Sequence, residues 1–213
     1  MKPALLSSGE KEILASHIPQ AAADDAIKLL ESMPVRLFIK GSRRTKLGDF
    51  RVRPDGSLQI SVNGDLNPYH FLITLIHELA HASVYLQYGK RRIRPHGNEW
   101  KDEMRRLMQP FLTNTVFPND ILPYLAQYLV QPKAATTSDT ALSAALKKYD
   151  PDDGKVCIFE LNEGDAFILN GISYRLGKKL RTRHECERLD NGKKYLIHHH
   201  AEVQPLIDSA SGK

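Results

Sequence analysis

The stretch TLIHELAHASVY, residues 74–85, holds two histidines four positions apart with a glutamate directly after the first. On a helix this spacing turns the two side chains only about 40° from one another, one turn apart along the axis. His77 and His81 can then both present a ring nitrogen to one metal ion. Glu78 lies about 100° round from His77, where it reaches a water on the ion and not the ion itself. A carboxylate there serves as general base: zinc lowers the pKa of the water towards about 7, and Glu78 accepts its proton as a carbonyl is attacked. The same five-residue pattern also arises by chance on core helices. Two buried histidines with no partner would each be costly, however, and a shared ion removes that cost.

A catalytic zinc takes three protein ligands and keeps one position open. His96, Glu99, Asp102 and Glu103 follow within reach along the chain. His96 is favoured, because Pro95 and Gly97 flank it with a rigid turn that can swing the imidazole back to the first helix. Glu99 is the alternative, although the helix dipole equally explains a carboxylate at a helix start.

These groups need a scaffold, and the surrounding pattern predicts one. Asn67 is a suitable N-cap with Pro68 in the first helical position. The histidine helix is expected from about residue 68 to 87, stopping near Gly89, with Phe71, Leu72, Leu75, Ile76, Leu79, Ala80 and Val84 at helical spacing. Upstream, Ser7 and Glu10 form a capping-box signature, and a second helical stretch runs from Pro19 to Pro34. VRLFIKG, KLGDFRVRP and SLQISVNG alternate apolar and polar residues, with Asp55-Gly56 as a hairpin turn. They predict a short antiparallel sheet with an arginine-rich polar face. NEWKDEMRRLM and NDILPYLAQYL read as two more helices.

Residues 131–155 are small, polar and proline-bounded, the composition of a linker with a short helix at TALSAALKKY. Beyond them, short strands with turn signals predict a small β-rich module. The expected fold class is α+β, divided as residues 1–130, a linker over 131–155, and the module over 156–213.

LITLIHELAHA followed by PHGNEW, with His96 fifteen positions after His81, resembles the SprT-like family, which includes the Spartan proteases. That family pairs HExxH with a downstream His-Gly-x-x-aromatic element, matched here by His96, Gly97 and Trp100. The resemblance covers roughly residues 10–110. It implies a zincin-like metalloprotease domain in which His77, His81 and His96 bind one catalytic zinc and Glu78 is the base. It also implies DNA-dependent action on proteins crosslinked to DNA. Many members carry a four-cysteine zinc ribbon after the protease domain, whereas only Cys157 and Cys186 stand in the corresponding region here. His198, His199 and His200 could supplement them, but neighbours on a strand point to opposite faces. The favoured reading is a metal-free β module with both cysteines as small apolar core residues.

The chain has 213 residues, 41% hydrophobic and 26% charged, with a net charge of +5, ordinary for a soluble globular protein. No apolar run approaches the roughly 18 residues of a membrane span, no secretory signal is visible, and two cysteines cannot make a disulfide framework. A cytoplasmic protein with reduced thiols and no membrane partner is expected. Basic residues cluster at 36–53, 90–94 and 175–194. Arg43, Arg44, Lys46, Arg51, Arg53, Arg91 and Arg92 are candidate phosphate contacts for DNA held without sequence specificity; the plainer alternative is a solvated polar face. Tyr69, Tyr85, Tyr88 and Trp100 could stack on bases, but core or cleft packing is the simpler expectation, with Trp100 packing the third-ligand turn on the histidine helix.

The expected function is that of a zinc metalloendopeptidase acting on DNA-associated proteins. One alternative is a non-proteolytic nucleic-acid-binding protein with a structural zinc. Another is a metallohydrolase whose substrate is not a peptide.

Overall fold

The Ser7 hydroxyl accepts from the Glu10 amide at 3.3 Å while the Glu10 carboxylate accepts from the Ser7 amide at 2.8 Å. This reciprocal cap starts the first helix, α1 (Ser8–His17). The computed structural model describes residues 5–43, 45–89, 93–133, 139–151, 154–198 and 201–206, and the chain divides into two units, residues 1–150 and 151–213. It is an α+β protein.

In the first unit α2 (Ala23–Glu31) follows a 3-10 turn over Gln20–Ala22. The expected helix from Pro19 therefore begins one tight turn late, because Pro19 itself is extended at ψ 134. Three strands come next: β1 (Val35–Lys40), β2 (Gly48–Val52) and β3 (Leu58–Asn63). Gly56, with φ 80, gives the turn that folds β2 back on β3 antiparallel, setting Gly48 opposite Val62. β1 lies on the other edge of β3 and runs parallel to it, Val35 opposite Leu58 and Lys40 opposite Asn63. The sheet is thus mixed, in the order β1-β3-β2, and not the antiparallel one expected. The hairpin uses one edge of β3, and the approach of β1 to the other edge is set by packing.

α3 (Pro68–Tyr88) starts at Asn67, whose side-chain oxygen accepts from the His70 amide at 3.0 Å, with Pro68 in the first turn. Gly89, at φ 64, ends it. Every residue from Phe71 to Ala80 is buried, so α3 is the central helix of the core and not a surface helix with one apolar stripe. Leu58, Ile60 and Val62 of β3 join that core, as do Trp100, Met104, Leu107 and Met108 of α4 (Asn98–Met108). α5 (Leu122–Val130) and α6 (Thr140–Lys147) complete the unit.

α6 corrects the expected linker over 131–155. Asp139 caps it by accepting from the Leu142 amide at 3.2 Å, and Leu142, Ala145 and Leu146 are buried in the first unit's core. The side-chain nitrogen of Asn67 donates to the Leu146 carbonyl at 2.9 Å and to Asp150 at 2.6 Å. Residues 139–150 therefore belong to the first unit; residues 134–138 and 152–153 lie outside the described residues.

The second unit contains β4 (Val156–Cys157), β5 (Ala166–Leu169), β6 (Ile172–Lys179), β7 (Arg183–Arg188), β8 (Lys194–His198) and β9 (Glu202–Leu206). They form one antiparallel sheet in the order β4-β9-β5-β6-β7-β8. It has its own small core of Ile158, Phe167, Tyr174, Leu176, Cys186 and Val203. No helix among the described residues is long and apolar enough to cross a membrane.

Candidate metal centre

α3 carries His77 and His81 one turn apart, and the turn before α4 returns His96 to them. His96 sits in the left-handed region at φ 58, a conformation a side-chain-bearing residue adopts only when its surroundings demand it. The Gly97 amide donates to the Arg94 carbonyl at 2.9 Å and closes that turn. A Cβ on Gly97 would stand 2.9 Å from the same carbonyl oxygen, so the turn requires glycine by close approach.

The three Nε2 atoms converge. His77 and His81 are 3.2 Å apart, His81 and His96 3.0 Å, and His96 and His77 3.2 Å. A tetrahedral zinc with Zn–N bonds of about 2.0–2.1 Å spaces its nitrogens by about 3.3–3.4 Å, so the triangle nearly has the required size. Its chemistry agrees. Burial pushes the His77 imidazole down to about 3 and the His81 imidazole to about 4, with the neighbouring histidines adding to both shifts. Burial lowers His96 as well. Each neutral Nε2 is either an N–H or a lone pair, so among three at least two are alike and face each other unpaired. A single cation accepts all three.

Trp100 is 1% exposed and packs against the whole triad. Its ring lies 4.6 Å from that of His77, 5.4 Å from His81 and 4.7 Å from His96. Its indole N–H donates to the His77 carbonyl at 3.3 Å. Among the described residues these three histidines are the one converging group of ligand atoms. The other third-ligand candidates stand outside it. Asp102 pairs with Arg105, Glu103 accepts from Ser83 at 2.9 Å and pairs with Arg106, and a Glu99 carboxylate oxygen lies beside Gly97.

Glu78 is 6% exposed and turned towards the sheet. Burial first, and then the nearby Asp49 carboxylate, push its pKa up to about 8; Arg43, Lys46 and the backbone amide of Phe50 act the other way. A cation on the histidines would further favour the carboxylate. Gly48, at the start of β2, touches this side chain: a Cβ there would stand 2.4 Å from Glu78 Oε1, 2.7 Å from Glu78 Cγ and 2.8 Å from Thr74 Cγ2. Neither Gly48 nor Asp49 stands out as a site residue in the sequence. The available signal was a glycine inside a strand pattern, which often marks a close approach.

The basic candidates are placed differently from one another. Arg43 is spent on the protein itself: Nε donates to Asn63 Oδ1 at 2.7 Å, Nη1 to Ser61 Oγ at 3.0 Å, and Nη2 to the Leu47 carbonyl at 3.4 Å. Lys46 pairs with Asp49 at 2.8 Å, and Arg51 binds the same carboxylate. Arg53 is exposed at the end of β2. Arg44, Arg91 and Arg92 lie outside the described residues. The aromatic candidates face the core: Tyr69 packs at a tilt on Phe117 and edge-on to Tyr149, Tyr85 at a tilt on Phe50, and Tyr88 packs on the main cluster.

In the second unit Cys186 is buried and Cys157 half-buried. Cys157, Cys186 and His198 belong to no converging ligand group among the described residues; His199 and His200 are outside them. Neither the curated proteins nor the solved structures contain a match to this chain. Residues 30–121, the segment that supplies Gly48, the three histidines, Glu78 and Trp100, match the model of the SprT-like family.

Proposed function

We propose that the chain is a zinc metalloendopeptidase with a zincin-like catalytic domain that cleaves DNA-associated proteins. The observation that carries the reading is the convergence of His77, His81 and His96 with Glu78 on the adjoining face of the same helix. Zinc, when bound by the three histidines, supplies positive charge that polarises a carbonyl oxygen and lowers the pKa of water. Glu78 takes the proton that the attacking water gives up and delivers it to the leaving amide nitrogen. Its buried position near Asp49 suits both halves of that task, because the protonated form is stabilised as well as the charged one. Trp100 holds the third-ligand turn against α3. Among the described residues β2 is an edge strand beside Glu78, and its outer side can take an extended peptide as an added strand. This favours a peptide over other carbonyl substrates.

Association with DNA draws its support from the family resemblance and from exposed cations. Arg53 is one; Lys178, Lys179, Arg181 and Arg183 at the β6–β7 turn are others. The deciding experiment is cleavage of a small basic DNA-binding protein by the zinc-loaded chain, with and without single-stranded DNA, beside Glu78→Gln. Cleavage stimulated by DNA and slowed at least about 100-fold in the variant, which keeps its zinc, supports the proposal. Zinc and DNA binding with no cleavage by either protein would transfer the reading to a structural-zinc nucleic-acid-binding protein.

A further inference from the structure

We infer that Gly48 is a positioning residue for Glu78: its missing side chain leaves the slot between β2 and α3 in which the carboxylate lies. A Cβ at position 48 would overlap Glu78 Oε1 at 2.4 Å and Thr74 Cγ2 at 2.8 Å. The backbone of Gly48 is outside the left-handed region, so alanine meets no conformational penalty there. The nearest obstacle is the end of a flexible side chain. Glu78 Cγ at 2.7 Å and Thr74 Cγ2 stand in the way as well, so the methyl displaces Glu78 from Cγ outward and presses on Thr74, and the carboxylate leaves its place.

The slot is kept in place by a lock at the other end of the loop. Arg43 reaches Asn63, Ser61 and the Leu47 carbonyl, and the Asn63 side-chain nitrogen donates to the Lys46 carbonyl at 3.1 Å. Asn63 and Ser61 are 2% and 3% exposed, so these polar groups depend on one another. Arg43, Lys46 and Leu47 are thereby fastened to β3, and Gly48 enters the sheet directly beside Glu78. Arg43, which reads as a phosphate contact in the sequence, acts in this arrangement as part of the support for the general base.

The inference rests on the hydrolytic reading only for its kinetic consequence. The test uses the full zinc-loaded chain, the basic DNA-binding protein as substrate with single-stranded DNA, and the variants Gly48→Ala and Arg43→Lys. Lysine keeps the charge at 43 but lacks the fork. Zinc stoichiometry, kcat, KM and the amide 1H–15N signal of Phe50, which faces Glu78, are measured for each. Gly48→Ala is expected to hold one zinc, to lose about 100-fold in kcat as a displaced reacting group does, and to keep KM within about twofold. Its Phe50 signal should shift as in Glu78→Gln. Arg43→Lys should move in the same direction by less, and it decides the matter if Gly48→Ala does not fold. A wild-type kcat with an unmoved Phe50 signal overturns the inference, and so does loss of zinc together with activity. If the wild type itself cleaves nothing, the hydrolytic reading fails and the Phe50 signal decides alone: moved, the slot stands; unmoved, it falls.

Discussion

The indole of Trp100 donates its N–H to the backbone carbonyl of His77 at 3.3 Å while its ring rests 4.6 Å from the imidazole of the same residue. One side chain thus braces both the main chain and the imidazole of the first histidine. Trp100→Ala should destabilise the protein by about 3–5 kcal/mol through the cavity it leaves. Zinc affinity should fall by about 10–100-fold, as expected when an outer support of a ligand is removed. Urea unfolding and competition with a chelator measure the two separately. Trp100→Phe should recover most of the stability and less of the affinity, since it restores packing without the donor.

The metal-free protein should be most stable near pH 6.5. His77 and His81 have folded values of about 3 and about 4 against an ordinary 6.5. The unfolded chain therefore binds more protons as the pH falls below 6.5, and stability is lost in that direction. Glu78 has the opposite sign. Raised to about 8 from 4.5, it stabilises the fold while protonated, and that contribution is lost as the pH rises towards 8. Between 4.5 and 6.5 two histidines outweigh one carboxyl, so the net slope is upward; a fully buried group contributes at most about 1.4 kcal/mol per pH unit. Zinc should flatten the alkaline limb, because a nearby cation favours the Glu78 carboxylate. Thermal melts from pH 4 to 9 with and without chelator test this, and a metal-free optimum well above pH 7 would contradict it.

Arg43 and Arg53 should part company on substitution. Arg43→Ala strands the buried oxygens of Asn63 and Ser61, at a cost of about 1–3 kcal/mol for each group left without a partner. Arg53→Ala, at an exposed position, should change stability by less than about 0.5 kcal/mol. If the β2 face meets phosphates, the Arg53 variant should instead reduce the salt dependence of DNA binding by about one counterion. Denaturant titration and binding isotherms at several salt concentrations distinguish the two roles.

The histidine helix could be read from the chain because its signals are local. Asn67-Pro68, the apolar spacing and Gly89 all lie within the element they define. The return of His96 to the other two histidines is similarly readable from the Pro95-His96-Gly97 turn. The parallel pairing of β1 with β3 was not, since the Asp55-Gly56 turn speaks only for the strands it joins. The role of Gly48 was hidden for a related reason: the collision that excludes a side chain there involves Glu78, thirty positions on. Arg43 looked like free surface charge because its partners Ser61 and Asn63 are uncharged and distant in sequence. α6 is readable as a short helix at TALSAALKKY, but its place in the first unit is not, because a few apolar residues in a polar stretch make a weak pattern until a core is there to receive them.

Asn67 has one more implication. The same side chain that starts α3 also holds the Leu146 carbonyl and Asp150. A fragment ending at residue 130, the boundary expected from composition, would remove both acceptors and take Leu142, Ala145 and Leu146 out of the core. The shortest excerpt that preserves the histidine helix as it stands here runs through Asp150, and truncation studies of the first unit should be cut there.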